Sequence, residues 1–169
     1  LLRSAEELEL KGLRLFPQYH GYSLTDTAGL ELIDAAYELN WPIQVPMRVV
    51  DRRQRHPMDW ASDLAASDFE DALAARPLVK WMILDALGLD GTKMPPNASY
   101  VVEISRMTAV LQRNIQGFIE TAGHVHLSFG TGMPFKMPGP ALLKLDVLDV
   151  PKTVREAIAW KNAKKVLLD

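Results

Sequence analysis

At 169 residues, 48% of them hydrophobic, the chain is long enough for one domain with a substantial core, and a second domain is not expected. Lys and Arg total 19 against 21 Asp and Glu, a formal net charge of -2, so there is no overall basic field to gather nucleic acid or an anionic membrane, and a small molecule is the expected partner. The absence of cysteine rules out a disulfide framework, a thiolate nucleophile and a Cys-ligated zinc, and it suits a reducing cytoplasm.

No stretch approaches the roughly eighteen apolar residues of a membrane span, and the opening LLRSAEELELKG lacks the basic, apolar and small-residue order of a signal peptide. It reads as the second half of a helix running into a strand, without an initiator Met, as expected of a chain whose first part is missing.

From Gly12, GLRLFP is a short apolar run closed by proline, followed by the loop QYHGYSL and then TDTAGLELIDAAYELN. Thr25 or Asp26 can cap that helix, Leu30, Ile33, Ala36 and Tyr37 recur at helical spacing, and Asn40 suits its end. The β-branched run Pro42 to Val50 is a second strand, leading through DRRQRHPMD into a helix over WASDLAASDFEDALAAR. LVKWMILDALG from Leu78 is a third strand, and SYVVEIS from Ser99 a fourth after a Gly-, Pro- and Asn-rich connection. MTAVLQRNIQGFIETAG then reads as an amphipathic helix ending at Gly123, HVHLSFG as a fifth strand and PKTVREAIAWKNAKKVLL as a closing helix, with Pro151 in its first turn. Trp41, Trp60, Trp81 and Trp160 fall at core or helix-packing positions.

Alternating strands and helices predict parallel strands covered by helices, and the near-continuous apolarity of the strands predicts burial of both faces. Five such units fit either part of a barrel or an open doubly wound sheet. Both place ligands at the C-terminal ends of the strands, in loops beginning near Pro17, Asp51, Asp85, Ser105 and Gly130.

In the first of those loops Tyr19 is a candidate substrate contact and His20 a candidate acid or base, the alternative being a loop histidine packed beside the tyrosines. In the second, Arg48, Asp51 and Arg52 lead a cluster with Arg53, Arg55 and His56. Guanidinium groups there suit a carboxylate or phosphate, unless Arg and Asp pair with each other. Asp85 and Glu103 near strand ends are candidate bases, metal ligands or arginine partners. His124 and His126, two apart at the start of a strand, share a face at the opposite end and read as structural. The segment from Phe129 to Pro140 is dense in Gly and Pro, and its Thr131 is a further candidate substrate contact. It is not a phosphate loop, since the lysine and hydroxyl that would follow the second glycine are absent.

SFGTGMPF followed by AIAWKNAKKVLL resembles the end of amidohydrolase-related barrels, which typically read Phe-Gly-Thr-Asp-x-Pro and then a helix closing on Gly-Asn-Ala-x-x-Leu. GLRLFPQYHGYSL, WPIQVPMRV and NASYVVEISRM fall where that family places earlier strands. The resemblance implies an α/β fold, a (β/α)8 TIM-barrel-like single domain over residues 1–169 with about five C-terminal βα units present. It also implies a hydrolase and a divalent metal, commonly zinc, held by a His-x-His or His-x-Asp pair on the first strand, a His on each of two middle strands and the Asp of the last.

In that family's pattern the last aspartate falls at Gly132, and a middle-strand His near Pro46 or Met47, while Asp85 could still bind metal. The expectation is therefore a divergent hydrolase of a small acidic molecule, working without metal or with a relocated one, using His20, Asp85 or Glu103 as acid or base and Arg48 or Arg52 to hold the substrate. A catalytically silent binding barrel is the second reading. Five units do not close an eight-stranded barrel, so completion by missing N-terminal strands or by another chain, as in a homo-oligomer, is also expected.

Overall fold

The computed structural model describes residues 2–134 and 136–168. Helix α1 (Leu2–Leu8) leads into strand β1 (Leu13–Arg14), the single-turn helix α2 (Pro17–His20) and helix α3 (Thr27–Glu38). Strand β2 (Ile43–Pro46) is followed by α4 (Ala66–Ala75), then by β3 (Trp81–Leu84) and β4 (Tyr100–Glu103). Helix α5 (Asn114–Thr121), strand β5 (Leu127–Ser128), helix α6 (Gly139–Val147), and the pair α7 (Lys152–Glu156) and α8 (Asn162–Leu168) complete the chain. A π-helical stretch, Ala157–Lys161, joins α7 to α8.

All five strands pair in parallel in the order β1-β2-β3-β4-β5. A doubly wound sheet reverses its order at a switch point, whereas an unbroken sequential order is one arc of a barrel. This settles the choice that the sequence leaves open.

Alternation along each strand sorts the side chains. Ile43, Val45, Trp81, Ile83, Tyr100, Val102 and Leu127 join a core with Ile33 and Ala36 of α3, Phe69 and Leu73 of α4, and Ile115 and Phe118 of α5. The other face carries Gln44, Met82, Val101 and Glu103, and Val166 of α8 packs on Met82 and Val101. The final helix thus lies against the inner face of the arc, where Asn162 anchors it by donating to the carbonyls of His124 and Leu127, each at 2.8 Å. No helix among the described residues is long and apolar enough to cross a membrane.

Asp26 caps α3, its Oδ1 accepting from the Gly29 N–H at 2.8 Å, and Asn40 adopts a left-handed φ of 55° just beyond the helix. Several expected boundaries move. Residues 60–65 are not helical, because the Leu64 N–H bonds the Met47 carbonyl and Asp63 turns toward Arg48 and Arg55; α4 starts only where Asp68 accepts from the Ala65 N–H at 2.7 Å. MTAVLQR is likewise loop, with Met107 and Ala109 drawn into the core at the end of β4. HVH is a single 3₁₀ turn before β5, and Pro151 stands at the helix N-cap position. Helix α6 lies where only loop is expected, although Pro140 in its first turn followed by Ala141, Leu145 and Leu148 is a helix signal. Trp81 is buried and Trp41 packs partly against the core, but Trp60 is 92% and Trp160 52% exposed, contrary to the packing expected of them.

Trp81 is only 1% exposed between sheet and helices, and its indole N–H donates to the Arg76 carbonyl. Trp81→Ala should lower unfolding free energy by about 3–5 kcal/mol in urea titrations; a loss under about 1 kcal/mol would contradict this packing.

Candidate functional site at the strand C-termini

The sheet delivers Met47, Asp85, Ile104 and Phe129 to one rim, each the first residue beyond its strand. Over this rim lies a 480 Å³ cavity whose polar lining is Asp51, Gln54, Asp85, Arg106 and Lys136.

Asp63, which sequence reasoning missed, organises one side of it. Its side chain is 8% exposed and accepts from Arg48 at 2.8 Å, Arg52 at 2.9 Å and Arg55 at 2.7 Å. Burial alone would raise its pKa, but the three guanidinium hydrogen bonds outweigh burial and hold it below the ordinary carboxylate value. Asp51 is held lower still by the Arg53 side chain and N–H and by Arg106 at 3.2 Å. Arg48, Asp51 and Arg52 thus lie in the connection after β2, with each arginine resting on an aspartate.

Lys136 and Arg106 form the other side. Arg106 reaches from Asp51 toward Asp85, where its Nε stands 3.6 Å from Oδ1, too long for a hydrogen bond. That Nε is buried without a partner among the described residues. The Lys136 ammonium sits on Asp85 in an ion pair and donates to Ser105 Oγ at 3.3 Å. Burial depresses the lysine's pKa, and the positive charges of Lys144 and Arg48 depress it further, against Asp51.

Glu103 lies deeper, 6% exposed on the inner face. Its carboxylate accepts from the Ser105 N–H at 2.9 Å and from Ser105 Oγ at 2.6 Å. Burial pushes its pKa up, and the Ser105 hydrogen bonds and the Lys144 charge only partly offset this. Gly130 makes the room, since a Cβ there would stand 2.5 Å from Glu103 Cγ and Oε1. Asp85 and Glu103 are therefore linked through Lys136 and Ser105.

The other expected residues lie apart. His20 is exposed between the rings of Phe16 and Tyr22, with centroids at 6.3 and 6.4 Å, in the packed arrangement weighed as its alternative. Tyr19 donates to Asp59 at 2.9 Å beside a separate 410 Å³ recess with Trp60 and Met58. Thr131 accepts from the Met133 N–H at 3.2 Å and so closes its own loop. His126 stacks on Tyr100 at 4.0 Å at the far end of the sheet, away from this rim. Lys136, Arg106 and Ser105 were missed because a loop lysine and residues of a 3₁₀ turn carry no periodic signal; only their places just after strand ends point to them.

The residues present do not fit the divalent metal that the family pattern implies, which needs about three protein ligands. Lys136 already sits on Asp85, Pro46 offers no donor, and the Met47 sulfur accepts from the Leu87 N–H at 3.2 Å. Among the described residues no group of three His, Cys, Asp or Glu side chains is placed to hold a metal ion.

No protein-family model matches the sequence, and no curated protein matches it. Solved structures do match, and they are amidohydrolase-fold TIM barrels, so the fold of this chain is the amidohydrolase-related one. A 2,6-dihydroxybenzoate decarboxylase from Rhizobium is similar with a TM-score of 0.68 at 14% identity, over 98% of this chain and 64% of its own. A 5-carboxyvanillate decarboxylase from Novosphingobium aromaticivorans, complexed with manganese and 4-hydroxy-3-methoxy-5-nitrobenzoic acid, gives 0.65 at 16% identity, over 98% and 58%. Amidohydrolase 2 from Bifidobacterium longum subsp. infantis gives 0.61 at 18% identity, over 93% and 61%. The chain therefore spans about three fifths of the length of each.

Asp63→Asn should cost about 3 kcal/mol at pH 7 by removing the carboxylate partner of the largely buried Arg48 and Arg55. Because the folded pKa of Asp63 is depressed, the wild-type advantage is present above pH 3.8 and shrinks as pH falls through the folded value. Paired melts at pH 7 and pH 3 should show that gap closing; a gap independent of pH would contradict it.

Proposed function

We propose that this chain forms the substrate-binding mouth of an amidohydrolase-fold enzyme that acts on a small carboxylic acid without a divalent metal on these residues. The observation that carries it is the charge at the rim. Arg48, Arg52 and Arg55 pair with Asp59 and Asp63 in one cluster, and Arg53, Arg106 and Lys136 pair with Asp51 and Asp85 in a second. Six cations against four carboxylates leave an excess of two positive charges in a chain whose net charge is -2.

Arg106, whose Nε is buried without a partner among the described residues and 3.6 Å from Asp85, lines a cavity whose other walls include Val49, Val50 and Met137. A carboxylate on an apolar or aromatic body suits such a lining. The two decarboxylases similar in fold act, by their names, on carboxylated aromatic compounds.

For chemistry, hydrolysis is the reading in keeping with the residues. Glu103, whose pKa burial pushes up, would hold and return a proton through Ser105 Oγ, while Lys136 and Arg106 fix the acid. His20 has no place in this scheme, as it shares no side-chain hydrogen bond or ion pair with the cluster among the described residues.

The test uses 2,6-dihydroxybenzoate as probe in calorimetric titrations. Binding should weaken steeply with added salt, and Arg106→Gln should weaken it about tenfold or more. Equal affinity in wild type and variant would overturn the reading.

A further inference from the structure

We propose that the Lys136 ammonium is a built-in cation, seated on Asp85 where a divalent metal would sit, so that the rim carries its own fixed positive charge and excludes the metal. The inference rests on the reading of this rim as the functional site. At least one solved structure of the same fold holds manganese.

Three features of this chain support the replacement. First, the Lys136 ammonium takes the Asp85 carboxylate as an ion pair and also bonds Ser105 Oγ at 3.3 Å, so the lysine is tied to β3 and to the turn after β4 rather than to solvent. Second, the lysine stem needs a residue without a side chain beside it. A Cβ on Gly132 would stand 2.6 Å from Lys136 Cδ and 3.2 Å from its Cγ and Cε. Gly132 also has a φ of 72°, a region that other residues enter at a cost. A side chain at 132 would therefore displace the lysine from this conformation. Third, Arg106 and Arg48 bring further positive charge to the same place, which opposes a second, mobile cation.

A lysine ammonium is a point charge with three donors, so it can keep Asp85 and Ser105 and still turn one N–H to a ligand carboxylate. It would do so without the exchange and loss to which a bound ion is subject.

The test is calorimetric titration of the protein with Mn²⁺ and with Zn²⁺, each alone, on wild type, Lys136→Met, Lys136→Arg and Lys136→Met/Asp85→Asn. Wild type and Lys136→Arg should show no binding up to about 1 mM metal. Lys136→Met should gain affinity by about tenfold or more, and the double variant should lose that gain. Should thermal melts show that Lys136→Met does not fold, Lys136→Gln repeats the test with a polar, uncharged side chain. Stoichiometric metal on wild type that Asp85→Asn removes would overturn the proposal, and so would a neutral variant that binds metal no better than wild type. A wild type that binds no metal and no 2,6-dihydroxybenzoate would instead overturn the carboxylate reading alone, leaving the exclusion of metal by Lys136 to the variants.

Discussion

Parallel pairing of β1 to β5 in chain order sends every strand end to the same rim, and everything proposed for this protein depends on that geometry. Asp51, Asp85, Arg106 and Lys136 come from four different connections, yet they share ion pairs because their strands lie side by side with common polarity. The register keeps Glu103 on the inner face beside Ser128. The helix-facing residues meanwhile bury Trp81, Phe69 and Ile83 and give the rim a rigid base.

On that base, charge is arranged so that no cation stands in isolation and the sum is still positive. Asp63 gathers three arginines at one edge, Asp51 and Asp85 share Arg106, and Asp85 takes Lys136. Pairing in this way orients the guanidinium groups before any ligand arrives, which lowers the entropy cost of binding. The cavity itself is lined by two cations, Arg106 and Lys136, against Asp51 and Asp85, and the excess of positive charge lies with the arginines around it. Of the two alternatives for the arginines, the structure shows the internal Arg–Asp pairing, and anion binding is the proposal built on that excess.

The fold was largely legible in the chain. Apolar runs placed all five strands, turn residues and Asp26 placed α3, and the C-terminal motif pointed to the amidohydrolase-related barrel whose fold the structure has. What failed were segments decided by tertiary contact. Helical periodicity over Trp60 to Ala65 lost to the Asp63 ion pairs and the Leu64 to Met47 hydrogen bond. The helix expected from Met107 began only at Asn114, because Met107 and Ala109 are worth more buried in the core. The candidate site was half legible: Arg48, Asp51, Asp85 and Glu103 stood at recognisable strand ends. Lys136 stood in the loop after β5 without any periodic signal, and its place beside Gly132 is a matter of three-dimensional neighbours rather than spacing.

The account turns on which end of the sheet meets the ligand, since a second cavity of 470 Å³ lies at the opposite end beside Ser99, Tyr100 and His126. Amide chemical-shift mapping during titration with 2,6-dihydroxybenzoate asks this directly. The account predicts shifts concentrated on Asp51, Gln54, Asp85, Arg106 and Met137; shifts confined to Ser99, Tyr100 and His126 would contradict it.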